Sequence, residues 1–343
     1  MRILLIGGNG FIGTPLVREL RGSGHEVAIF HRGADPSISA DVVAIRGDRN
    51  HLPDYREQIQ QFSPDVVIDL ILSSGDQARQ VMDVSRGLAR RVVAISSMDV
   101  YRAWGVVTGS ETGSLEPLPI TEDSPVRTNR NVYSPEAREM LRGVFSWFDE
   151  DYDKIAVEQI ILNDPALAGT VLRLPMVYGP GDRLHRFFPL LKRIADGRSS
   201  ILLADDLAAW LAPRGYVENV AHAIALAATL DQAAGRVYNV CDEPTLTELS
   251  WQEKIARQLL WPGTFVVLPR ERTPKHLLQP GNATQHVVVS SERIRTELHY
   301  KEPVAIDEAI RRTATWEQQN PPATIDPQRF DYDAEDKALA NQA

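Results

Sequence analysis

The stretch from Met1 to Gly33 constrains the fold more than any other part of the chain. Its sequence, MRILLIGGNGFIGTPLVRELRGSGHEVAIFHRG, begins with an apolar run from Arg2 to Ile6 that is typical of a buried parallel strand. A glycine-rich turn follows directly, then a segment of helical character from Thr14 to Arg21 and a second apolar run from Glu26 to Phe30. This order predicts a strand, a tight turn, a helix and a second strand.

The glycines of that turn have a physical purpose. Gly7, Gly10 and Gly13 recur at a regular interval, and Gly8 offers a second register. Glycine lets the chain turn sharply off the strand, lets the backbone approach a pyrophosphate and lets the helix pack closely on the sheet. The free N–H groups and the positive dipole end of the helix then hold the phosphates. Because a strand precedes the turn and a helix follows it, the turn predicts a dinucleotide-binding site.

The composition excludes several classes of protein. A chain of 343 residues can bury a large core, as one large or two unequal domains. Its formal net charge of -9 argues against a broad basic surface, so we expect no nucleic-acid partner. Cys241 is the only cysteine, which excludes an intrachain disulfide and favours a reducing compartment. The apolar runs are shorter than the roughly 20 residues of a membrane span, and the first strand leaves no room for a signal peptide, so we expect a cytoplasmic protein without a membrane partner.

Strands and helices continue to alternate after this first unit. We predict strands at residues 42–45, 66–71, 91–95 and 170–174, and helices at residues 76–89, 153–162 and 187–196. The alternation predicts an α/β fold with a doubly wound parallel sheet of the Rossmann type, whose ligands bind beyond the carboxyl ends of the strands. Residues 108–131 are rich in Gly, Pro, Ser and Thr, and we expect them to form a long loop over that site.

The rhythm of strands and helices loosens after residue 180, which predicts two domains. A dinucleotide-binding domain takes residues 1–180 and is joined again by residues 213–245. A smaller C-terminal α/β substrate domain takes residues 181–212 and 246–320. The polar residues 321–343 are expected to lie along the surface or to fray.

The chain resembles the extended short-chain dehydrogenase/reductases, in particular the NAD-dependent epimerase/dehydratase family. The resemblance runs from Met1 to about Pro321. It rests on GGNGFIG at 7–13, GD at 47–48, SSMDVY at 96–101, KIAVEQ at 154–159, RLPMVYGPGD at 173–182, RGYVENV at 214–220 and VYNV at 237–240. It implies an NAD(P)-dependent oxidoreductase or epimerase acting on a hydroxyl or carbonyl carbon of a small, polar, sugar-like molecule, and it does not fix the substrate.

The resemblance also assigns residues to the cofactor site. These residues are Gly7, Gly10, Phe11, Ile12, Gly13, Asp48, Leu70, Ile71, Lys154, Pro175 and Val177. Asp48 is expected to meet the adenine, and Lys154 to bind the nicotinamide ribose. Pro175 and Val177 are expected near the nicotinamide.

The end of the second predicted strand departs from the family pattern. NAD enzymes of this fold carry an acid there, which binds the ribose hydroxyls. This chain has His31 and Arg32 instead. A carboxylate repels a 2′-phosphate, whereas a guanidinium binds one in a bidentate manner. We therefore expect His31 and Arg32 to contact the cofactor and NADP to be preferred, with NAD as the alternative.

The catalytic residues depart further. The family uses Ser or Thr, Tyr and Lys, with the last two spaced Tyr-x-x-x-Lys on one helix, where the lysine charge lowers the pKa of the tyrosine. Ser97 and Lys154 match the family serine and lysine, but Glu150 stands at the tyrosine position. Tyr152 lies two residues before the lysine, which is about 200° of rotation on a continuous helix. Tyr152 can therefore act as the acid or base only if the helix begins at about Asp153.

Two other side chains compete with Tyr152 for the missing role. Glu150 is either a base or merely an ion-pair partner of Lys154. Tyr133 comes from a segment between Pro125 and Lys154 that is longer than in a typical family member. The sequence leaves these three candidates open, together with the alternative that the site is inactive.

The substrate-binding residues are predicted with less support. Ser97, Met176 and Arg214 are the candidates, and Arg214 matches a family arginine that contacts a substrate phosphate. Met176 stands where nucleotide-sugar epimerases often carry Asn, and residues 279–282 lack the charges of a late Arg-x-Gly-Asp segment. A buried diphosphate requires cationic partners, so a UDP-sugar is not favoured. No metal site is expected.

The same resemblance leaves two alternatives to an enzyme and implies a dimer. The main alternative to an enzyme is an inactive NADP-binding regulator or scaffold, and a weaker one is an RNA-binding protein, which the net charge of -9 opposes. Family members commonly dimerise through the helices predicted here at 76–89 and 153–162. We therefore expect a homodimer, with apolar faces supplied by Val81, Val84, Leu88, Ile155 and Ile161.

Overall fold

A computed structural model describes residues 1–33 and 42–341 of the chain. The strands of this part are β1 (Arg2–Ile6), β2 (Glu26–His31), β3 (Val43–Arg46), β4 (Val66–Asp69), β5 (Arg91–Ser97), β6 (Ala168–Leu174), β7 (Met176–Tyr178), β8 (Ser200–Ala204), β9 (Arg214–Tyr216), β10 (Val237–Asn239) and β11 (Thr264–Leu268). Within it, seven strands form one parallel sheet in the order β10-β6-β5-β4-β1-β2-β3. The predicted doubly wound parallel sheet is therefore confirmed.

Helices cover both faces of this sheet. The α-helices of the described residues are α1 (Gly13–Gly22), α2 (Arg56–Phe62), α3 (Gly75–Ser85), α4 (Arg102–Thr108), α5 (Pro135–Val144), α6 (Lys154–Leu162), α7 (Phe188–Ala195), α8 (Asp205–Ala209), α9 (Val217–Thr229), α10 (Glu248–Gln258), α11 (Glu292–Leu298), α12 (Ile306–Gln319) and α13 (Tyr332–Ala340). Alternate side chains of β1 enter opposite cores: Ile3 and Leu5 pack on the side of α1 and α9, whereas Leu4 and Ile6 pack on the side of α3 and α6. This two-sided burial explains why the first strand is apolar at successive positions.

Two predicted elements end earlier than expected. Strand β4 ends at Asp69 rather than at residue 71, because Asp69 Oδ1 accepts a hydrogen bond from the backbone N–H of Ile71 and turns the chain. Helix α3 ends at Ser85 rather than at residue 89. It begins after Ser74, whose hydroxyl accepts from the N–H of Gln77 and caps the helix.

The segments assigned to a smaller domain carry their own pairings. Strand β8 pairs in parallel with β11, and β7 pairs with β9. Helix α10 packs against α12, and α12 also contacts α7. The division of the chain into two domains stays a prediction.

The C-terminal segment is more ordered than predicted. Residues 332–340 form α13, and residues 342 and 343 lie outside the described part. Glu335 is fully buried, and its carboxylate lies 2.7 Å from Arg193 Nη2 of α7. Apart from Glu335, the residues of α13 are exposed or half-buried, so the helix lies along the surface and Glu335 anchors it to the Arg193 guanidinium.

The apolar faces expected to support a dimer are occupied within the chain. Val81, Val84, Ile155 and Ile161 are each less than 5% exposed in the single chain, and Leu88 packs against the same core. These side chains therefore hold α3 and α6 on the sheet and on each other. No helix of the described residues is long and apolar enough to cross a membrane.

Candidate active site

A single large cavity lies along the carboxyl ends of the central strands. It has a volume of about 580 Å³, which is within the usual range for small-molecule sites. Its wall begins at the glycine turn after β1, passes the end of β2 and reaches Ser97 at the end of β5. The carboxyl edge of a parallel sheet is where the ligands of such folds bind.

The glycine turn is shaped to approach a ligand closely. A Cβ atom on Gly13 would lie 2.4 Å from the carbonyl oxygen of Gly8, so no larger residue fits without moving the backbone. Gly7 has a φ of +83°, which favours glycine. Helix α1 begins at Gly13, and its N-cap residue Ile12 provides no side-chain cap. The N-terminus of α1 therefore lacks a side-chain cap, and its pyrophosphate role stays a prediction.

The adenosine end of the cavity is formed by the ends of β2 and β4. His31, Arg32, Leu70 and Ile71 all line it. Arg32 is exposed, and its Nη2 donates to Ser146 Oγ at 2.9 Å. His31 is buried, and both of its ring nitrogens lack a hydrogen-bond partner among the described residues. The carboxylate that binds ribose hydroxyls in NAD enzymes is absent from this strand end.

Asp48 does not line the cavity. Its side chain accepts from the N–H of Asn50 at 2.9 Å and caps the 3₁₀-helix Arg49–Tyr55. Its neighbours Gly47 and Arg49 line the cavity instead, and Arg49 Nη2 lies 2.9 Å from Asp69 Oδ2. The adenine role implied for Asp48 stays a prediction, and the structure adds a capping role in which Oδ1 accepts from the backbone.

Lys154 lies at the middle of the cavity and is buried. Its Nζ donates to the carbonyl oxygen of Ile95 at 2.9 Å and to that of Leu72. Burial lowers the pKa of Lys154 to about 8, although the negative charges of Asp99, Asp69 and Glu158 oppose this shift. A lysine ammonium has three N–H groups, so one remains for a ligand such as the nicotinamide ribose.

Helix α6 begins late enough to release Tyr152. Asp153 is its N-cap, with Oδ1 accepting from the N–H groups of Ile155 and Ala156, and the first helical residue is Lys154. Tyr152 therefore precedes the helix, lines the cavity and donates its hydroxyl to Asp99 Oδ2 at 2.7 Å. The structural condition set for Tyr152 by the sequence is met.

Asp99 is a site residue that the sequence analysis missed. Tyr133 donates to the same Oδ2 atom at 2.8 Å, so two phenols share one carboxylate oxygen. Asp99 is 2% exposed, and Arg127 Nε donates to its backbone carbonyl at 2.6 Å. The signal that was available is its position, two residues after Ser97 in the SSMDVY motif.

The phenols of Tyr133 and Tyr152 are held in the neutral form. Burial, followed by the charge of Asp99, raises the pKa of each phenol well above its ordinary value. This is opposite to the lowered tyrosine pKa that the family pattern implies. Ser97 lines the same cavity, and its hydroxyl accepts from the N–H of Asp99 at 3.1 Å.

Glu150 is not placed for catalysis. Its side chain is 82% exposed and lies 2.7 Å from Arg142 Nη1 of α5, not against Lys154. The expected ion pair with Lys154 is therefore wrong, because the lysine points inward to two carbonyl oxygens while Glu150 faces the solvent.

The cavity is covered by the insertion rather than by the long loop. No residue of 108–131 lines it, and that loop instead pairs Ile120 with Val289. The covering side chains include Leu141, Phe145 and Phe148, from α5 and the residues after it. The Phe148 ring stacks on the Tyr152 ring with centroids 4.5 Å apart. The wall over Tyr152 is thus largely aromatic.

The predicted substrate residues separate into two groups. Met176 lines the cavity beside Pro175 and Val177. Arg214 does not: its guanidinium is bound to Glu248 and lies 4.6 Å from the Trp251 ring centroid. The phosphate role implied for Arg214 stays a prediction, and a substrate phosphate would have to compete with Glu248 for this guanidinium. No cluster of potential metal ligands occurs in the described residues.

Sequence comparison assigns the chain to a family. A model of the "NAD dependent epimerase/dehydratase family" matches residues 3–241. The chain therefore belongs to that family, and it is an enzyme of the epimerase, dehydratase or reductase type.

Characterised relatives are distant and differ in substrate. A 2'-dehydrokanamycin reductase of Streptomyces kanamyceticus is 25% identical over 81% of this chain and 72% of the relative. A 3-diazoavenalumate denitrifying reductase of a Streptomyces species is 27% identical over 88% of this chain and 96% of the relative. A dTDP-glucose 4,6-dehydratase of Bacillus anthracis, solved in complex with NAD, superposes with a TM-score of 0.67 at 17% identity, over 93% of this chain and 97% of that one. This last similarity shows the shared fold.

Proposed function

We propose that the protein is an NADP-dependent reductase or epimerase that acts on a hydroxyl or carbonyl carbon of a small polar molecule through an altered Tyr-x-x-x-Lys centre. One observation carries the proposal: a single cavity connects the glycine turn and Arg32 with Lys154, Ser97 and Tyr152. The bound nicotinamide would supply or accept the hydride. An NADP-binding regulator would not require the cavity to continue beyond Lys154 to Trp104 and Met176, as it does here.

Sugar-like substrates without a nucleotide agree best with the charges around the cavity. Arg214 is bound to Glu248, and Arg186 Nη1 lies 2.6 Å from Asp182. Both guanidinium groups therefore have carboxylate partners, so a diphosphate would have to displace one of them or depend on Arg183, which also lines the cavity. The aromatic wall offers apolar ring faces, on which the faces of sugars or planar molecules can pack.

The test of this function is a pair of measurements on the full chain. Binding of NADPH and NADH is measured first by fluorescence titration. Oxidation of bound NADPH is then followed with free keto-sugars, with UDP-sugars and with simple aldehydes such as para-nitrobenzaldehyde. We expect NADPH binding and turnover of a carbonyl compound without a nucleotide. Turnover of UDP-sugars alone would contradict the substrate class, and absence of NADPH binding would contradict the whole proposal.

Arg32→Ala is expected to change cofactor choice. Loss of a charged hydrogen-bond partner costs about 1.5–3 kcal/mol, so NADP should bind roughly tenfold or more weakly while NAD is nearly unchanged. Titration of both cofactors against both proteins measures this. Arg236→Ala is the matched control, because Arg236 lies outside the cavity and pairs with Glu297. An equal loss for NAD and NADP would contradict the role of Arg32.

We also propose a homodimer in the cytoplasm. The outward positions of α3 are charged, with Asp76, Arg79 and Asp83 exposed, so the contact would be polar rather than made by the buried valines. Light scattering at micromolar protein should give the mass of two chains. A single-chain mass under these conditions would refute the dimer.

A further inference from the structure

The strongest unassigned feature of the cavity is the carboxylate of Asp99. It lies at the end of β5, where the chain leaves the sheet, and it is almost fully buried. Tyr133 and Tyr152 both donate to its Oδ2 atom, at 2.8 and 2.7 Å. Its Oδ1 atom has no hydrogen-bond partner among the described residues, and the nearest cation is Arg127 Nη2 at 3.8 Å. An acceptor atom buried without a partner costs free energy, which favours a role beyond packing.

We infer that Asp99 is the proton-holding group of the reaction, reached from the substrate through the hydroxyl of Tyr152. The inference rests on the proposed function. All three side chains line the cavity that contains Lys154 and Ser97. Because each phenol donates its hydrogen to Asp99, the lone pairs of the phenol oxygen remain to accept a hydrogen bond from a substrate hydroxyl.

The proton transfer balances as follows in the oxidation direction. The substrate hydroxyl gives its proton to Tyr152 Oη while the phenol proton moves to Asp99 Oδ2. The O–H bond of the substrate breaks, the O–H bond of the phenol is replaced, and a carboxylic acid forms. The electron pair of the substrate C–H bond leaves as hydride to NADP⁺. In carbonyl reduction every transfer is reversed.

This arrangement replaces the missing tyrosinate. A phenol kept neutral by burial is a poor base by itself, but it can pass a proton to a stronger acceptor. The ionisable groups that face Asp99 are Tyr133, Tyr152, Arg127 and Lys154. The two cations stabilise the carboxylate, and the two phenols fix its orientation.

A purely structural role is the alternative. Tyr133 precedes α5 and Tyr152 follows it, so Asp99 also ties both ends of the insertion to β5. Asp99→Asn separates the two roles, because an amide oxygen still accepts from both phenols but cannot hold the proton. The full-length variant should bind NADPH within about twofold of wild type. Its turnover of para-nitrobenzaldehyde should fall by about 10²–10⁴, the usual contribution of a general acid or base.

The second measurement needs no substrate. Infrared difference spectra of wild type against Asp99→Asn, from about pH 5 to pH 9, report the carboxylic acid and phenolate forms directly. We expect a carboxylic-acid carbonyl band that is lost in Asp99→Asn, with both phenols neutral throughout. Asp242→Asn is the matched control: Asp242 is buried outside the cavity and accepts from Tyr178 at 3.4 Å, and burial raises its pKa to about 6. This variant should lose only the Asp242 acid band and keep the band assigned to Asp99.

Each other outcome overturns the inference. A phenolate band that disappears in Tyr152→Phe would make tyrosinate the base. An acid band absent at every pH would show that Asp99 cannot hold the proton. Full turnover in Asp99→Asn would leave only the structural role. If wild type turns over no carbonyl compound, the proposed function fails, and the infrared result still decides whether Asp99 holds a proton.

Discussion

Lys154→Met should abolish most of the turnover and weaken the binding of the cofactor. Removing one preorganised charged donor costs about 10²–10³ in rate. Losing a charged hydrogen bond to the ribose costs about 1.5–3 kcal/mol in binding, which is roughly tenfold or more. Single-turnover rates and NADPH titrations on the purified variant measure both effects.

The pH dependence of wild type gives an independent check on Lys154. The folded-state pKa of about 8 lies below the ordinary value of about 10.4, so the amine loses its charge as the pH rises through 8. NADPH affinity should fall over that range, and Lys154→Met should not show the fall. The sign for stability is opposite: between these two pKa values the unfolded chain binds more protons, so the lysine destabilises the fold less as the pH rises.

Because the buried ammonium of Lys154 destabilises the folded state, a loss of activity in Lys154→Met can be separated from a loss of stability. Replacing a buried ammonium by an apolar side chain of similar length should not unfold the protein, so a loss of activity reflects the site. Lys254→Met is the matched control, because Lys254 is outside the cavity and pairs with Asp307 at 2.7 Å. Unchanged turnover and affinity in Lys154→Met would remove the lysine from the mechanism.

Tyr152→Phe should reduce turnover by about 10²–10⁴ while cofactor affinity is kept. The change removes one hydroxyl and almost no volume, and the Phe148 ring can still stack on the new ring. Asp99 keeps its hydrogen bond from Tyr133, so the carboxylate does not become unpaired. Steady-state kinetics with a confirmed carbonyl compound measure the effect.

Two comparison variants assign the role of the lost hydroxyl. Tyr178→Phe removes a buried phenol that donates to Asp242 outside the cavity, and it should keep wild-type turnover. Tyr133→Phe removes the second phenol on Asp99. If Tyr133→Phe is inactive and Tyr152→Phe is active, the proton passes through Tyr133 instead. If Glu150→Gln is inactive while Tyr152→Phe is active, the carboxylate of Glu150 is the base. This result would contradict our conclusion that the exposed Glu150 is not placed for catalysis.

Local sequence signals predicted the sheet and the glycine turn well. Runs such as Arg2–Ile6 are apolar because both faces of their strand are covered, and this pattern is visible without a structure. The turn at Gly7–Gly13 is equally local, since the close contact of Gly13 with Gly8 spans only a few residues. The sequence analysis could state a late start of α6 as the condition for Tyr152 to act. Asp153 is a good N-cap residue, which makes this start favourable.

Contacts between distant segments could not be predicted. Asp99 meets Tyr133 and Tyr152 over separations of 34 and 53 residues, and no periodic pattern encodes such a meeting. The same limit applies to Arg214, whose partner Glu248 lies on another element. A family motif located the arginine but did not show that its charge was already neutralised.

The buried ion pair between Arg193 and Glu335 has a consequence for how the chain matures. Domains tend to form in order as the chain emerges from the ribosome, and Glu335 is made 142 residues after Arg193. Until α13 docks, the guanidinium of Arg193 on α7 lacks its carboxylate partner, and an unpaired buried charge is costly. Helix α7 can therefore complete its packing only after residues 332–340 have been synthesised. A stop codon before Tyr332 would leave every cavity residue in place in the sequence, yet it would yield a chain whose α7 cannot complete its packing.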